Sequence, residues 1–514
     1  MTDLKPPRSS GHAARAIKGV FWSTITAVVP SGTNFFVFLV ISRYVGPVEY
    51  GLVALTVGVV SLAGVLVPYG FSEAIVQRTA IDQRHLDSVF WILLICALLA
   101  YLAVFASKDL VANLAGSELV SHLLPIVGLK LFCDAAAMVP QAVITRSMSF
   151  QLLTYRTVLA TLVSAVLTIS LLFAGYNIWA LVIAQLSSSA TAMVAAMWGS
   201  RYRPAWSIDM GSVRSLARYG AFSSGTRAIQ ALTTQADPAM IGFSLGPAQA
   251  GIYAFSRNIF QIMVGVVATP LGAVAHPMFS SIQTELDRIR KGFLTATFLS
   301  SAISFPMFVG FAVVADLAVP MIFGPKWIEA VLPIRIYCAL GLMACIGVIQ
   351  SSLINSRGFP NWWFYYQLFA GLLTLSILAL SSQLGLTMVL VLLFASTLAR
   401  WPFAVVKSAR LVSLSVMDYL AVFAGPAAGC ITMALVMIGA KLLCSAFPPP
   451  FQLAISVLVG APTYVATVVL CSRKYAEEIM SLLIGRSVPP AGNTRNQLTS
   501  RISHGSQCVG KSDV

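Results

Sequence analysis

The sequence predicts an all-α polytopic membrane protein with about fourteen transmembrane helices, set out as two parallel six-helix lobes followed by two C-terminal helices. Three observations lead there. Hydrophobic residues make up 58% of the 514 positions and charged residues only 10%, with a mean hydropathy of +0.84, whereas soluble domains carry about 25% charge. Apolar runs long enough to cross a bilayer, each needing about 20 residues, recur along almost the whole chain. A segment near the start also returns 200 positions later. ISRYVGPVEYGLVA at 41–54 and IGFSLGPAQAGIYA at 241–254 share Ile41/Ile241, Gly46/Gly246, Pro47/Pro247, Gly51/Gly251 and Ala54/Ala254. The match runs backwards through Lys18/Arg218, Ser23/Ser223 and Thr26/Thr226. A self-similar hydrophobic chain is the signature of a membrane bundle built from two repeats.

In order, residues 1–19 hold Lys5, Arg8, Arg15 and Lys18 with no small-residue cleavage site, and read as a retained cytoplasmic segment. Six spans follow within 20–198, at roughly 20–42, 51–70, 88–106, 119–141, 157–175 and 177–198. A basic linker, 199–218, carries Arg201, Arg203, Arg214 and Arg218. The second lobe, 219–410, holds spans near 219–243, 248–274, 293–320, 328–353, 362–382 and 385–406. Two further spans occupy 411–471, and 472–514 reads as a mobile cytoplasmic tail with Pro489 and Pro490. An even number of spans per repeat makes both halves enter from one side, which defines parallel repeats.

Charge tests that layout, which rests on hydrophobicity alone. Of the 33 Lys and Arg, Arg43, Lys108, Lys326, Arg335 and Lys441 fall outside and Lys130, Arg227 and Arg257 fall within spans. The other 25 lie on the cytoplasmic side when both termini are placed there, the bias that orients membrane proteins. The net charge of +15 is therefore a topology signal, and no nucleic-acid partner is implied. Eight scattered cysteines and five scattered histidines form no disulfide framework, metal spacing or triad, so neither cofactor nor metal is expected. External loops are short, the longest near 316–330, and house no catalytic domain.

Charges inside spans are costly and are functional candidates by default. Lys130 and Asp134 lie four apart on one helical face, either as a staple between helices or as part of a transport path. Arg227 is central in the seventh span, where it either faces a polar cavity or is neutralised by an acid from another helix, such as Asp134. Asp237, near the outer end of that span, is either a solvated helix end or a cavity residue, and Arg257 either snorkels to outer headgroups or joins the cavity. The seventh span also carries Ser223, Ser224, Thr226, Gln230, Thr233, Thr234 and Gln235, and its repeat partner Ser23, Thr24, Thr26, Ser31, Thr33 and Asn34. Ser and Thr also glue helices together. So polar a face in both symmetry-related helices is better explained by water between the lobes, with Asn34 and Gln230 as further cavity candidates. No acid on the same helix reaches Arg227, since Asp237 is ten residues, about 15 Å, away.

RYVGPVEYGLVAL at 43–55, VPYGFSEAIVQR at 67–78, SVFW at 88–91, PQAVITRSMSF at 140–150, LGPAQAGIYAFSRNI at 245–259 and HPMFSSIQ at 276–283 together resemble one family. It is the polysaccharide-export branch, with its Wzx-type oligosaccharide flippases, of the multidrug/oligosaccharidyl-lipid/polysaccharide superfamily. The resemblance covers about residues 15–410. It implies two six-helix lobes in a V shape, with spans 1, 2, 7 and 8 lining the cleft. The implied substrate is an undecaprenyl-diphosphate-linked oligosaccharide at the bacterial inner membrane, handed on to polymerase and export machinery. No catalytic residue transfers, and no motif identifies a coupling ion. A lipid II-type flippase and a multidrug antiporter share the fold, although an antiporter would favour acids where this chain has Arg227, Arg257 and Lys130. A membrane polymerase or ligase, an enzyme, is disfavoured by the short external loops.

Overall fold

The computed structural model describes residues 12–78, 81–282 and 285–473, and within it a few helical side chains, Gln230 among them, lie outside the described part. No strand occurs among the described residues. The first half contains α1 (His12–Tyr44), α2 (Pro47–Ala63), α3 (Gly70–Gln77), α4 (Gln83–Ala115), α5 (Leu119–Gly128), α6 (Lys130–Arg146), α7 (Phe150–Phe173) and α8 (Asn177–Ser200). The second contains α9 (Met210–Leu245), α10 (Pro247–Ser281), α11 (Leu286–Phe323), α12 (Val331–Ser356), α13 (Pro360–Ser381) and α14 (Leu386–Leu411). The short α15 (Val416–Ala421) then leads to α16 (Ala424–Leu443) and α17 (Pro449–Cys471).

Among the described residues, twelve stretches are long and apolar enough to cross a membrane, two fewer than expected, and the protein is a multi-pass membrane protein. α1 and α9, of 33 and 36 residues, are not among the twelve; both contain side chains outside the described part. Three sequence boundaries change. The second span, expected at 51–70, begins at Pro47 and stops as a helix at Ala63. Val67 is extended (φ −86°, ψ 119°), as the residue before Pro68 prefers to be, and the chain re-enters as α3. The fourth span is two helices meeting at Leu129 and reaching Arg146. The expected loop at 316–330 is mostly helical: α11 extends to Phe323, and a 3-10 turn, Pro325–Ala330, buries Trp327 completely. Of the expected tail, only residues 472 and 473 are described, and residues 1–11 of the N-terminal segment lie outside the described residues.

Buried apolar side chains of residues 45–216 form one core cluster. A second unites Phe38 with residues 241–393, and two smaller ones extend the second half to Val468. The helices α16 and α17 pack on α11. There Lys441 and Arg335, both expected on the outer face, share Asp316 at 2.6 and 3.3 Å.

The linker is held, not loose. Asp87, at the start of α4, is 1% exposed and accepts from the Tyr202 hydroxyl (2.7 Å) and the Ala205 amide (3.2 Å). Trp91 stacks on Trp206 at 4.0 Å and donates to the Ala205 carbonyl, so the SVFW run serves as the linker's seat. Asp209 then caps α9. The Ser212 hydroxyl, with the Gly211 and Ser212 amides, holds its carboxyl below the usual range, so the cap is charged at neutral pH.

The repeated motif joins the two halves. Pro47 and Pro247 open α2 and α10 at the position where a missing N–H costs nothing, and the helices cross one turn later. A Cβ on Gly51 would drive into the Pro247 carbonyl oxygen and stand 2.7 Å from the Gly251 nitrogen. A Cβ on Gly251 would meet the Pro47 carbonyl in the same way. This reciprocity is what a two-fold relation between repeats requires. Gly246 needs glycine for a different reason, its φ of +85°, whereas Gly46 has φ −87° and open space around it. Gly251→Val should therefore lower the thermal midpoint of the purified protein by several degrees, the scale of an overpacking cost of about 1–3 kcal/mol. Gly46→Ala should leave it unchanged; equal midpoints for both variants would contradict this crossing.

Candidate functional site

Between the halves, α2, the α5–α6 pair and α9 enclose a cavity of about 220 Å³. Its wall is apolar on the α2 side (Val57, Val60, Val65) and charged opposite, where Lys130, Asp134 and Arg227 meet Ser224 and Gln235. The structure thus brings together three of the residues expected from sequence. Lys130 and Asp134 pair at 3.0 Å, each about one-third exposed. Arg227 points its Nε at Glu73 Oε1 at 2.7 Å.

Hydropathy gives no sign of Glu73, because the second apolar run ends at 70 and residues 71–87 read as loop. Because Pro68 turns the chain back, α3 lies against α9 and supplies the acid that Arg227 lacked on its own helix. The Ser223 hydroxyl also donates to Glu73. The signal that could have found it is the acid within GFSEAIVQ, an amphipathic turn just after a proline. Arg156, counted as cytoplasmic, lies six residues into α7, where its Nε is buried with no hydrogen-bond partner among the described residues.

Other expected residues fall elsewhere. Asp237 is no solvated helix end: it is 6% exposed, accepts from the Tyr253 hydroxyl at 3.0 Å and pairs with Arg257 at 3.6 Å. Arg257 therefore neither snorkels outward nor joins the cavity lining, because α10 aims it at α9. Asn34 is exposed on α1 and is not in the cavity wall. The side chain of Gln230 lies outside the described residues. Arg400, counted with the cytoplasmic cations although it falls inside the expected span 385–406, sits within α14.

Contacts between the halves flank the cavity on two sides. At the far end from the linker, the Gly51/Gly251 crossing is backed by an aromatic cluster. Phe255 stacks on Trp327 at 3.8 Å, Phe38 meets Phe255 at 5.1 Å, and Tyr50 stands edge-on to Trp327 at 5.8 Å. Trp327 Nε1 donates to the Ser42 carbonyl at 2.9 Å and Lys326 Nζ to the Arg43 carbonyl at 3.0 Å. At the linker end, α3 crosses α9 almost as closely. The Gly70 amide donates to Ser224 Oγ at 3.0 Å, and a Cβ on Gly220 would stand 2.8 Å from the Phe71 ring. A volume of about 220 Å³ lies below the roughly 300–1,000 Å³ typical of small-molecule sites. A larger ligand needs more room than the halves leave here.

The fold is similar to that of a multidrug resistance MATE family transporter of the MOP superfamily in an inward-facing conformation, with a TM-score of 0.56, 15% identity, and coverage of 76% of this chain and 99% of that one. Residues 40–332, more than half of the chain, match a family described as polysaccharide biosynthesis protein, and the chain belongs to that family. It is 23% identical over 378 residues, 72% of this chain and 76% of its relative, to the lipopolysaccharide biosynthesis protein WzxC of Escherichia coli K12. It is 26% identical over 334 residues, 65% of this chain and 66% of its relative, to the succinoglycan biosynthesis transport protein ExoT of Rhizobium meliloti. Its fold is similar to that of the lipid II flippase MurJ in an inward closed conformation, with a TM-score of 0.69, 13% identity, and coverage of 89% of this chain and 99% of that one.

The Arg227–Glu73 pair separates two roles by charge. Its side chains are 50% and 38% exposed, so the pair stabilises the fold by no more than about 1 kcal/mol. If Arg227 serves an anionic ligand, Glu73→Gln should keep or raise activity while Arg227→Gln lowers it at least tenfold at unchanged protein level. Equal losses in both single variants, restored in the Glu73→Gln/Arg227→Gln double variant, would make the pair a structural contact only. Surface polysaccharide output normalised to protein level reads the difference.

Proposed function

We propose that this chain is a flippase, not an enzyme, that carries undecaprenyl-diphosphate-linked oligosaccharide repeat units across the bacterial inner membrane for exopolysaccharide, capsule or O-antigen synthesis. The family and the printed functions of WzxC and ExoT support the polysaccharide context. The observation that carries the transport reading is the charged cavity lying between two crossings of the halves. A hydrated sugar and a diphosphate cannot enter hydrocarbon without losing several kcal/mol per polar group. A cleft opened alternately at each end keeps them in a polar path while the lipid tail stays in the bilayer.

In this reading α1 and α9 also cross the membrane, which makes fourteen spans, and both termini are cytoplasmic. Residues 20–198 and 219–410 are the moving lobes, joined by the linker 199–218, with 411–471 fixed to the second lobe. Arg227 and Lys130 supply positive charge to the diphosphate or an acidic sugar. Glu73 and Asp134 hold those cations while the site is empty. Arg257 and Asp237 act as a packed pair inside the second lobe and stay out of substrate contact.

Deleting the gene in a strain without a redundant flippase should abolish surface or secreted polysaccharide, while lipid-linked repeat units still form and accumulate at the cytoplasmic face. Normal polymer in that deletion would overturn the proposal. Loss of the lipid-linked units themselves would do so too, since it would point to synthesis.

A further inference from the structure

The edge formed by α13 and α14 carries a cationic cluster that the transport site does not use. α13 is the least buried of the twelve apolar stretches, 11% by residue, and opens with the run PNWWFYYQ. Lys407 Nζ stands 4.0 Å above the Phe359 ring centroid and 5.8 Å from that of Trp362. Trp362 in turn stacks on Tyr366 with an interplanar angle of 9°, and the Tyr366 hydroxyl donates to the Arg400 carbonyl at 3.4 Å. Arg400 precedes Lys407 by seven residues, which puts it on the same face about 10 Å further along the helix.

Neither cation has a carboxylate within ion-pair distance among the described residues. Among the described residues, Arg400 donates only to the Ser396 carbonyl and the Thr397 hydroxyl of its own helix, fewer than its five N–H groups allow. A ring face attracts an ammonium without consuming its N–H groups, so Lys407 is held in place yet still able to donate. Cations unbalanced by acids, at two depths beside rings suited to the interface, match a phosphate at headgroup level with acyl chains below it. Exposed Phe364, Phe369 and Leu372 lie in the direction of those chains. The opposite end shows the contrast: Lys108 sits singly over Phe105 at 4.8 Å.

We infer that the α13–α14 edge is a binding site for an anionic phospholipid, with Lys407 and Arg400 taking the headgroup phosphate between Trp362 and Tyr366. It is independent of the transport reading. The α12–α13 turn and the end of α14 lie at the linker end, which the charge distribution assigns to the cytoplasmic leaflet, where anionic lipid draws cations. A zwitterionic headgroup would bring its own ammonium towards Lys407 and bind less well.

The test is native mass spectrometry of the full-length purified protein titrated with phosphatidylglycerol, phosphatidylcholine and inorganic phosphate. Phosphatidylglycerol should bind in preference to phosphatidylcholine. Its affinity should fall about fivefold in Lys407→Ala, the weight one cation carries at an anionic surface, and further in Lys407→Ala/Arg400→Gln. Lys407→Arg should retain it, and Lys108→Ala should not change it. Should the double variant fold poorly, the Lys407→Ala and Lys407→Arg pair decides alone. Unchanged phosphatidylglycerol binding in Lys407→Ala, or equal binding of both lipids, would overturn the site. Equal competition by inorganic phosphate would reassign it to a free anion and overturn the lipid proposal.

Discussion

Two helix backbones touching at Gly51 and Gly251 set the relation between the halves. In a bilayer no hydrophobic gain drives one helix onto another, so close packing of small residues does that work. Here α2 and α10 approach until each glycine lies against the other helix's proline carbonyl. That distance fixes how near Tyr50 and Phe38 come to Trp327 and Phe255, and so whether the far end is plugged. Through the length of α2 and α9 it also fixes the width of the charged cavity beyond.

The linker end uses the same device with a weaker grip. Gly70 and Gly220 permit α3 to lie close to α9, but the side chains across that contact are Glu73, Arg227, Ser223 and Arg78 with Ser215. Half-exposed ion pairs contribute less than about 1 kcal/mol each, so this crossing can part at small cost. The far end buries aromatic surface and is harder to open. A centrally placed Arg costs roughly 2.5–3.5 kcal/mol on insertion scales, and pairing with Glu73 offsets that cost while leaving a cation that an anionic group can capture by exchange.

Much of the fold was legible because membrane helices must satisfy their own backbone, which makes apolar runs readable. The repeat was legible because Gly-Pro-x-x-x-Gly is rare enough to notice twice. What the motif touches was not, since periodicity says nothing about which helix lies opposite. In the site, Lys130 with Asp134 could be paired from spacing and Arg227 placed from its central position. Glu73 escaped because a turn at Pro68, and not hydropathy, returns α3 to the bundle. Asp237 was misplaced because its partners Tyr253 and Arg257 come from α10. Arg156 lies just before the apolar run at 157–175, where the helix outlasts the hydrophobic pattern, whereas Arg400 falls inside the run at 385–406.

The central claim is that the far-end crossing must separate for the protein to work. Arg43 and Lys326 face each other across it, with Lys326 Nζ 3.0 Å from the Arg43 carbonyl. Cysteines at these two positions, joined by a short reducible cross-linker in a background without other reactive thiols, would lock it. The account predicts that polysaccharide export stops on cross-linking and returns on reduction, with each single cysteine variant unaffected. Export at the uncross-linked rate in fully cross-linked protein would contradict it.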